Sequence, residues 1–271
     1  MQIVKDEFES YLSVATSSHV EVFEKVEPHF LPAFEECRAS LLGEAGAAAA
    51  DDDRNTLLVE SVKRWVSIHA FLSVFRQLDL VLTPTGFGVV STQQVAPASK
   101  QRVDALVGHL RDSELRTRGS LLEQLCQVEG WGDSPQAQES IDTLFFDFRL
   151  LQRFQGPGVS HLDWQSAQRL IADGDEALRQ KLSNEYMDAL LDGVRHGTTT
   201  EANRPIIFQC RRILSHWIAG DPDGARLRTR RLLSFLDDHL EQYEIYGSHG
   251  YTLNHHETFQ NTEDAPAYLF G

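Results

Sequence analysis

From Asn55 to about Leu78 the apolar residues Leu58, Val62, Trp65, Ile68 and Leu72 recur at spacings of three and four, with His69 on the same side. That is the period of an α-helix with one buried face, and Asn55 stands where its N-cap belongs. The same period governs most of the chain. Phe8, Leu12 and Ala15 form one stripe, and Val22, Val26, Phe30 and Phe34 form another, with a break expected near Ser17-Ser18 and a kink or restart at Pro28 and Pro32. Ser99 is positioned to cap a helix through Val128, and Ser134-Pro135 repeats the start signal for a helix to about Phe154. Asp163 caps a stretch through Leu191, Pro205 opens a helix to Ile218, and Asp221-Pro222 opens the last one, reaching Tyr243 or Tyr246.

Three segments break the pattern. The run GEAGAAAADDD, residues 43–53, is small and acidic and reads as an exposed loop. Leu78 to Leu82 and Phe87 to Val90 flank Thr83-Pro84-Thr85-Gly86, a strand-turn-strand pattern in which Pro84 presets the turn and Gly86 permits positive φ. A lone two-stranded ribbon is marginal in water, so this one either lies on its own helices or adds an edge to a neighbouring subunit. From Gly247 onward periodicity fails, and the chain closes on the apolar run Tyr268-Leu269-Phe270, which a free tail rarely exposes. Glycines at 43 and 193, each followed by a polar spacer and a longer apolar helix, give the two halves a common outline.

Composition removes several functions. With 271 residues the chain can bury roughly three quarters of its surface and needs no staple. No apolar stretch approaches the ~20 residues that span a bilayer. The opening MQIVKDEFES lacks a signal peptide's basic flank and apolar run, so synthesis in the cytoplasm is expected. Cys37, Cys126 and Cys210 are odd in number, with no CxxC pair, and read as buried inert thiols. The net charge of −15 argues against general nucleic-acid binding, yet suits a wall past which DNA slides without sticking.

Signatures of catalysis are missing: there is no phosphate loop, no complete dinucleotide fingerprint, no GxSxG and no HExxH. An enzymatic site would have to be assembled from residues such as His69, Asp79 and Arg102. The histidines at 239, 249, 255 and 256, with Glu257, are the densest potential metal ligands, but adjacent His255 and His256 point apart in most backbones. Arginine outnumbers lysine twenty to five. Arg226 and Arg230 share a helix face at spacing four, either as a stripe for an anionic partner or as a solvated face paired with Asp237, Asp238 and Glu241.

Two stretches carry a resemblance. TPTGFGVVSTQQVAPASKQRV at 83–103 and NTEDAPAYLFG at 261–271 resemble the central signature and the usual ending of an uncharacterised family of phage and prophage proteins of the Bacteroidetes lineage. In this chain Phe259-Gln260-Asn261 stands where the family pattern has a tyrosine before the asparagine. Proteins of that kind look like head-tail connector or head-completion components. The resemblance implies a ring of copies, commonly twelve, seated on the portal protein and touching tail or neck proteins, with DNA passing through without sequence-specific binding. It implies no catalytic residue, metal or cofactor.

The expectation is therefore a mainly α protein: helical bundles, a small β-hairpin inserted near residues 78–95, and an extended C-terminal tail. Its domains are placed at 1–154 and 159–246, with a docking tail at 247–271. The expected function is a non-enzymatic structural virion protein, made in the bacterial cytoplasm and ending in the virion neck. The alternative is an intracellular helical interaction module. The expected contact residues are Leu82, Thr83, Pro84, Thr85, Gly86 and Phe87 in the hairpin, Arg226 and Arg230, and Tyr268, Leu269 and Phe270 in the tail.

Overall fold

The computed structural model describes residues 2–12, 21–52, 54–78, 80–83, 86–89 and 100–255, which are mainly helical. Helix α1 is Lys5–Tyr11 and α2 is Glu21–Val26. Pro28 cannot donate a backbone hydrogen bond, and the chain tightens into a 3-10 turn at Glu27–His29 before α3, Phe30–Cys37, which takes Pro32 in its first turn. Phe8 is fully buried, with the rings of Phe23, Phe30 and Phe71 at 5.7, 5.7 and 6.5 Å.

The run read as an exposed loop is α4, Gly43–Ala50. A π-helical turn, Arg38–Leu42, leads into it, and Gly43 takes φ +61 at the junction. The small residues are what let it pack. A Cβ on Gly46 would stand 2.8 Å from Leu125 Cδ2 and 3.4 Å from Trp131 Cδ1, so the glycine brings the backbone against the core. Trp131, wholly buried, donates its indole N–H to the Leu41 carbonyl at 2.8 Å. Asn55 precedes α5, Thr56–Val74, as expected, but its side chain reaches backward and donates to the Ala49 carbonyl at 2.8 Å.

Strands β1, Leu80–Thr83, and β2, Gly86–Val89, pair antiparallel, with Leu80 opposite Val89 and Thr83 opposite Gly86. Pro84, Thr85 and residues 90–99 lie outside the described residues, as does Ser99 as a cap. Helix α6, Lys100–Leu125, then runs along α5. Ser134 does cap the next helix, accepting from Ala137 N at 3.1 Å, but that helix stops early. It is α7, Pro135–Ser140, and Asp147 caps a separate α8, Phe148–Gln155. Residues Ile141, Leu144 and Phe145 fill the core between them.

Contacts divide the chain into two units, Met1–Gln168 with Asp192–Thr199, and Arg169–Leu191 with Thr200–Gly271. The division falls inside α9, His161–Leu182, and not at the Gln155–Gly158 break. Bonds across that break account for this: Asp112 Oδ1 accepts from His161 N at 2.6 Å and meets its Nδ1 at 2.9 Å, while Trp164 lies edge-on to Phe148. Residues 192–199 join the first unit through Arg195, whose guanidinium donates to the Ile141 carbonyl at 2.7 and 2.9 Å.

In the second unit the helix expected to run on to Leu191 breaks at Ser183, which adopts φ 78. Helix α10, Asn184–Arg195, starts there and runs through Gly193, so the glycine does not end a helix. Together with the helical 43–50 segment, this removes the outline shared by the two halves. Helices α11, Asn203–Ile218, and α12, Pro222–Asp237, follow, the latter stopping short of the expected end at Tyr243 or Tyr246. The segment assigned to an extended tail is helical at first, a π turn at Tyr246–Gly250 and then α13, Tyr251–Asn254. Tyr246 is fully buried, with its hydroxyl on Asp237 at 2.7 Å.

Two local devices yield predictions. Gly119 on α6 leaves room for Asp147, whose Oδ1 accepts from Arg149 N at 2.9 Å and whose Oδ2 accepts from Arg149 Nε at 2.7 Å. A methyl at Gly119 would collide with both side chains, so Gly119→Ala is expected to cost about 1–3 kcal/mol in urea unfolding. Gly158→Ala, where nothing lies within 4 Å, is the neutral control.

His69 joins three helices: its Nδ1 meets Glu114 of α6 at 2.5 Å, its Nε2 meets Glu36 of α3 at 3.1 Å, and its ring stacks on Trp65 at 4.5 Å. The Glu114 hydrogen bond raises its pKa against the opposing effect of burial. A raised folded pKa stabilises fully below the unfolded value of about 6.5 and is lost as pH climbs through the folded value. The melting temperature should therefore fall from about pH 6 to pH 8.5 in the native chain, and fall less in His69→Gln.

Candidate functional site

The α11–α12 hairpin is built by its turn. Gly220 takes φ 68 after α11, and Asp221 caps α12 by accepting from Gly224 N at 2.9 Å through Oδ1. Its Oδ2 receives His216 Nδ1 at 2.8 Å, and Arg228 Nε donates to His216 Nε2 at 2.7 Å. A guanidinium only donates, so His216 accepts the Arg228 hydrogen bond on the Nε2 lone pair and donates to Asp221 through Nδ1–H. The Gly224 bond, then the His216 bond, hold the Asp221 carboxyl below the usual range. Farther up α11, burial pushes the Cys210 thiol up to about 12; Cys37 and Cys126 are likewise buried and raised to about 12. These thiols are protonated and shielded, which makes them packing groups rather than nucleophiles.

The hairpin carries two clefts, one on each flank of α12. The first, about 400 Å³, is floored by Leu178, Ile213, Trp217 and Leu233 and edged by Lys181, Arg226 and Arg230. Nearby, α9 approaches α11 closely at Gly174, where a Cβ would stand 2.8 Å from Leu214 and 3.1 Å from Trp217. The second, about 340 Å³, is lined by Ile206, Gln209, Leu232 and the 41% exposed Phe235, with Arg228 and Arg231 beside them.

Among the described residues, most of the cations here lack a carboxylate partner. Arg226 meets Asp223 at 3.3 Å, at an exposed pair worth little. Among the described residues Arg212, Arg228, Arg230 and Arg231 form no salt bridge to a carboxylate. Asp237, a partner the sequence suggested, is instead held by Tyr246 and stands 3.7 Å from His255. Desolvation, and then the nearby guanidiniums of Arg212 and Arg231, lower the Arg228 pKa. Forked cations beside an apolar floor suit an acidic segment with aromatic or aliphatic side chains.

Of the other expected contact residues, Leu82 pairs with Phe87 and Thr83 with Gly86 in the backbone ladder. Pro84, Thr85, Tyr268, Leu269 and Phe270 lie outside the described residues. His69 has Glu114 and Glu36 for company, while Asp79 is not described. Among the described residues no group of three or more His, Cys, Asp or Glu side chains is arranged to hold a metal ion. His249 faces Glu185 at 3.8 Å, far from forming a set with His255 on Asp237. No described helix is long and apolar enough to cross a membrane. The second cleft escaped notice in the sequence, although Arg228, Arg231, Leu232 and Phe235 already follow helical spacing.

A larger and more open cleft, about 700 Å³, lies in the first unit against the π turn, with Glu35, Arg38, Glu44 and Asp133 among its lining residues. Residues 36–141 match a family model described as "Family of unknown function (DUF6712)". The match covers fewer than half of the 271 residues, spans the 83–103 block and all of the first-unit cleft's lining but Glu35, and stops before the arginine hairpin. No curated protein and no solved structure matches the sequence.

Replacing an arginine that props up the fold lowers stability, whereas relieving a like-charge cluster raises it. Arg231→Glu is accordingly expected to raise the melting temperature at low ionic strength, with the gain fading toward about 1 M salt. Arg179→Gln, which strips Asp175 and Asp188 of bonds at 2.8 and 2.7 Å, should lower it.

Proposed function

We propose that this chain is a non-catalytic structural subunit of a phage or phage-like particle, a head-tail connector or adaptor that assembles as a ring on the portal around the DNA path. The single observation that carries an assembly role is the second α12 cleft, where Arg228 and Arg231, without carboxylate partners among the described residues, flank an apolar floor in a chain of net charge −15. A ring needs a heterologous contact, one patch meeting a different patch on the next copy. The Arg228–Arg231 flank with Phe235 is the basic, aromatic half, and the acidic remainder supplies the other. The placement in a particle neck draws on the resemblance of residues 83–103 and 261–271 to phage and prophage proteins.

The β ribbon adds a second contact element in this reading. Among the described residues β1 and β2 pair only with each other, so each keeps an outer edge able to extend a partner's sheet. A net negative wall would let DNA pass by repelling phosphates. The portal and the tail or neck proteins are the expected partners, the bacterial cytoplasm the site of synthesis, and the virion neck the final location.

Electron microscopy of the purified chain, alone and with the portal encoded in the same locus, tests this. Rings of defined symmetry are expected, alone or on the portal, and Arg231→Glu should reduce them while leaving the circular dichroism spectrum intact. A monomer indifferent to the portal would overturn the connector reading in favour of a helical interaction module.

A further inference from the structure

We propose that residues 256–271 dock, within their own chain, in the first α12 cleft, against Leu178, Trp217 and Leu233 and beneath Arg226 and Arg230. This does not depend on the ring: a connector subunit and a free monomer would both carry it.

The described chain ends against two helices that line that cleft, α9 at Lys181 and α12 at Asp237. Asn254 Nδ2 donates to the Lys181 carbonyl at 2.7 Å, and Lys181 lines the cleft. Gly250 presses on the same helix end, where a Cβ would stand 2.5 Å from the Leu182 carbonyl oxygen. His255 Nε2 stands 3.7 Å from Asp237 Oδ2, one helical turn beyond Leu233. The remaining residues therefore set out from a fixed point beside the floor they would cover.

Length and chemistry both fit. From Ala225 to Leu233 the cleft follows α12 for about 12 Å at the helical rise. Tyr268 lies thirteen residues past His255, a reach of up to about 40 Å when extended, so the aromatic cluster can lie anywhere along it. The segment holds Glu257, Glu263 and Asp264 and no lysine or arginine. Its carboxylates match Lys181, Arg226 and the unpaired Arg230, and Tyr268, Leu269 and Phe270 match the apolar floor. The second cleft has the same chemistry, but the chain exit is tied to Lys181, which lines the first one alone. Tethering decides between the chain's own cleft and a neighbour's, because a short covalent tether gives an effective concentration on the order of millimolar.

The test is disulfide trapping in the full-length chain at about micromolar concentration, where intramolecular contact outruns collision by roughly a thousandfold. Thr229→Cys in the cleft is paired with Tyr268→Cys, Leu269→Cys or Phe270→Cys in turn, and Leu233→Cys serves as a second cleft position. The native thiols do not interfere, since Cys37, Cys126 and Cys210 are buried. Mild oxidation should give a cross-link within one chain, read by mass as a monomer. It should form about tenfold faster than with Gln209→Cys in the second cleft, and Arg230→Glu should slow it. Dimeric cross-links alone would place the tail on another copy and overturn the proposal, as would equal rates at both clefts or no cross-link at either cleft position in a folded chain. No portal is present, so the result is independent of whether the chain forms rings.

Discussion

A buried hydrogen bond organises the first unit. Trp131 is wholly enclosed, and its indole N–H would be orphaned in an apolar core without the Leu41 carbonyl at 2.8 Å. That carbonyl belongs to the π turn at Arg38–Leu42, whose widened winding sends Gly43 into positive φ and swings α4 inward. Gly46 then meets Leu125 and Trp131, which closes the circle. The bond, the irregular turn and the small residues are one arrangement. Gln136 secures it from outside, donating to the Ala39 carbonyl at 3.0 Å.

The second unit rests on a different economy, in which polar side chains join helix ends. Asp221 caps α12 and holds His216; His216 in turn accepts from Arg228. Arg179 spans Asp175 and Asp188 across the α9–α10 corner made by Ser183. Of the α12 arginines, Arg226 meets Asp223 only at an exposed pair, and Arg228 serves the fold through His216. Arg230 and Arg231 have no carboxylate partner among the described residues and stand beside the apolar clefts.

Much of this was legible along the chain. The α5 stripe was, because Leu58, Val62, Trp65 and Ile68 repeat at the helical period and are all buried. So were the caps at Ser134 and Asp221, whose side chains accept from N3 backbone groups as the residue types suggest. Helix ends were harder. Nothing local stops the helix after Ser134-Pro135 at Ser140; the turn through Ile141 to Phe145 exists because those side chains are wanted in the core. The α9–α10 corner was invisible too, since serine with positive φ has no sequence signature. Arg226 and Arg230 share a face by spacing, and Arg228 and Arg231 belong to the same basic run, but that they flank a cleft shows only when a second helix packs beside them.

By itself the sequence determined a mainly helical chain, the positions of its buried stripes and caps, its inert thiols and its acidic charge. These follow from properties that act over a few neighbouring residues: period, side-chain reach and titrating groups. Tertiary structure alone decided that an alanine-rich acidic run becomes a packed helix, that His69 is clamped by carboxylates from two other helices, and which arginines go unpaired. Each of those depends on partners distant along the chain, such as Trp131 for Leu41, Glu114 for His69 and His216 for Arg228. Only folding sets the distances between them, and at those distances a polar group is either satisfied or left seeking a partner.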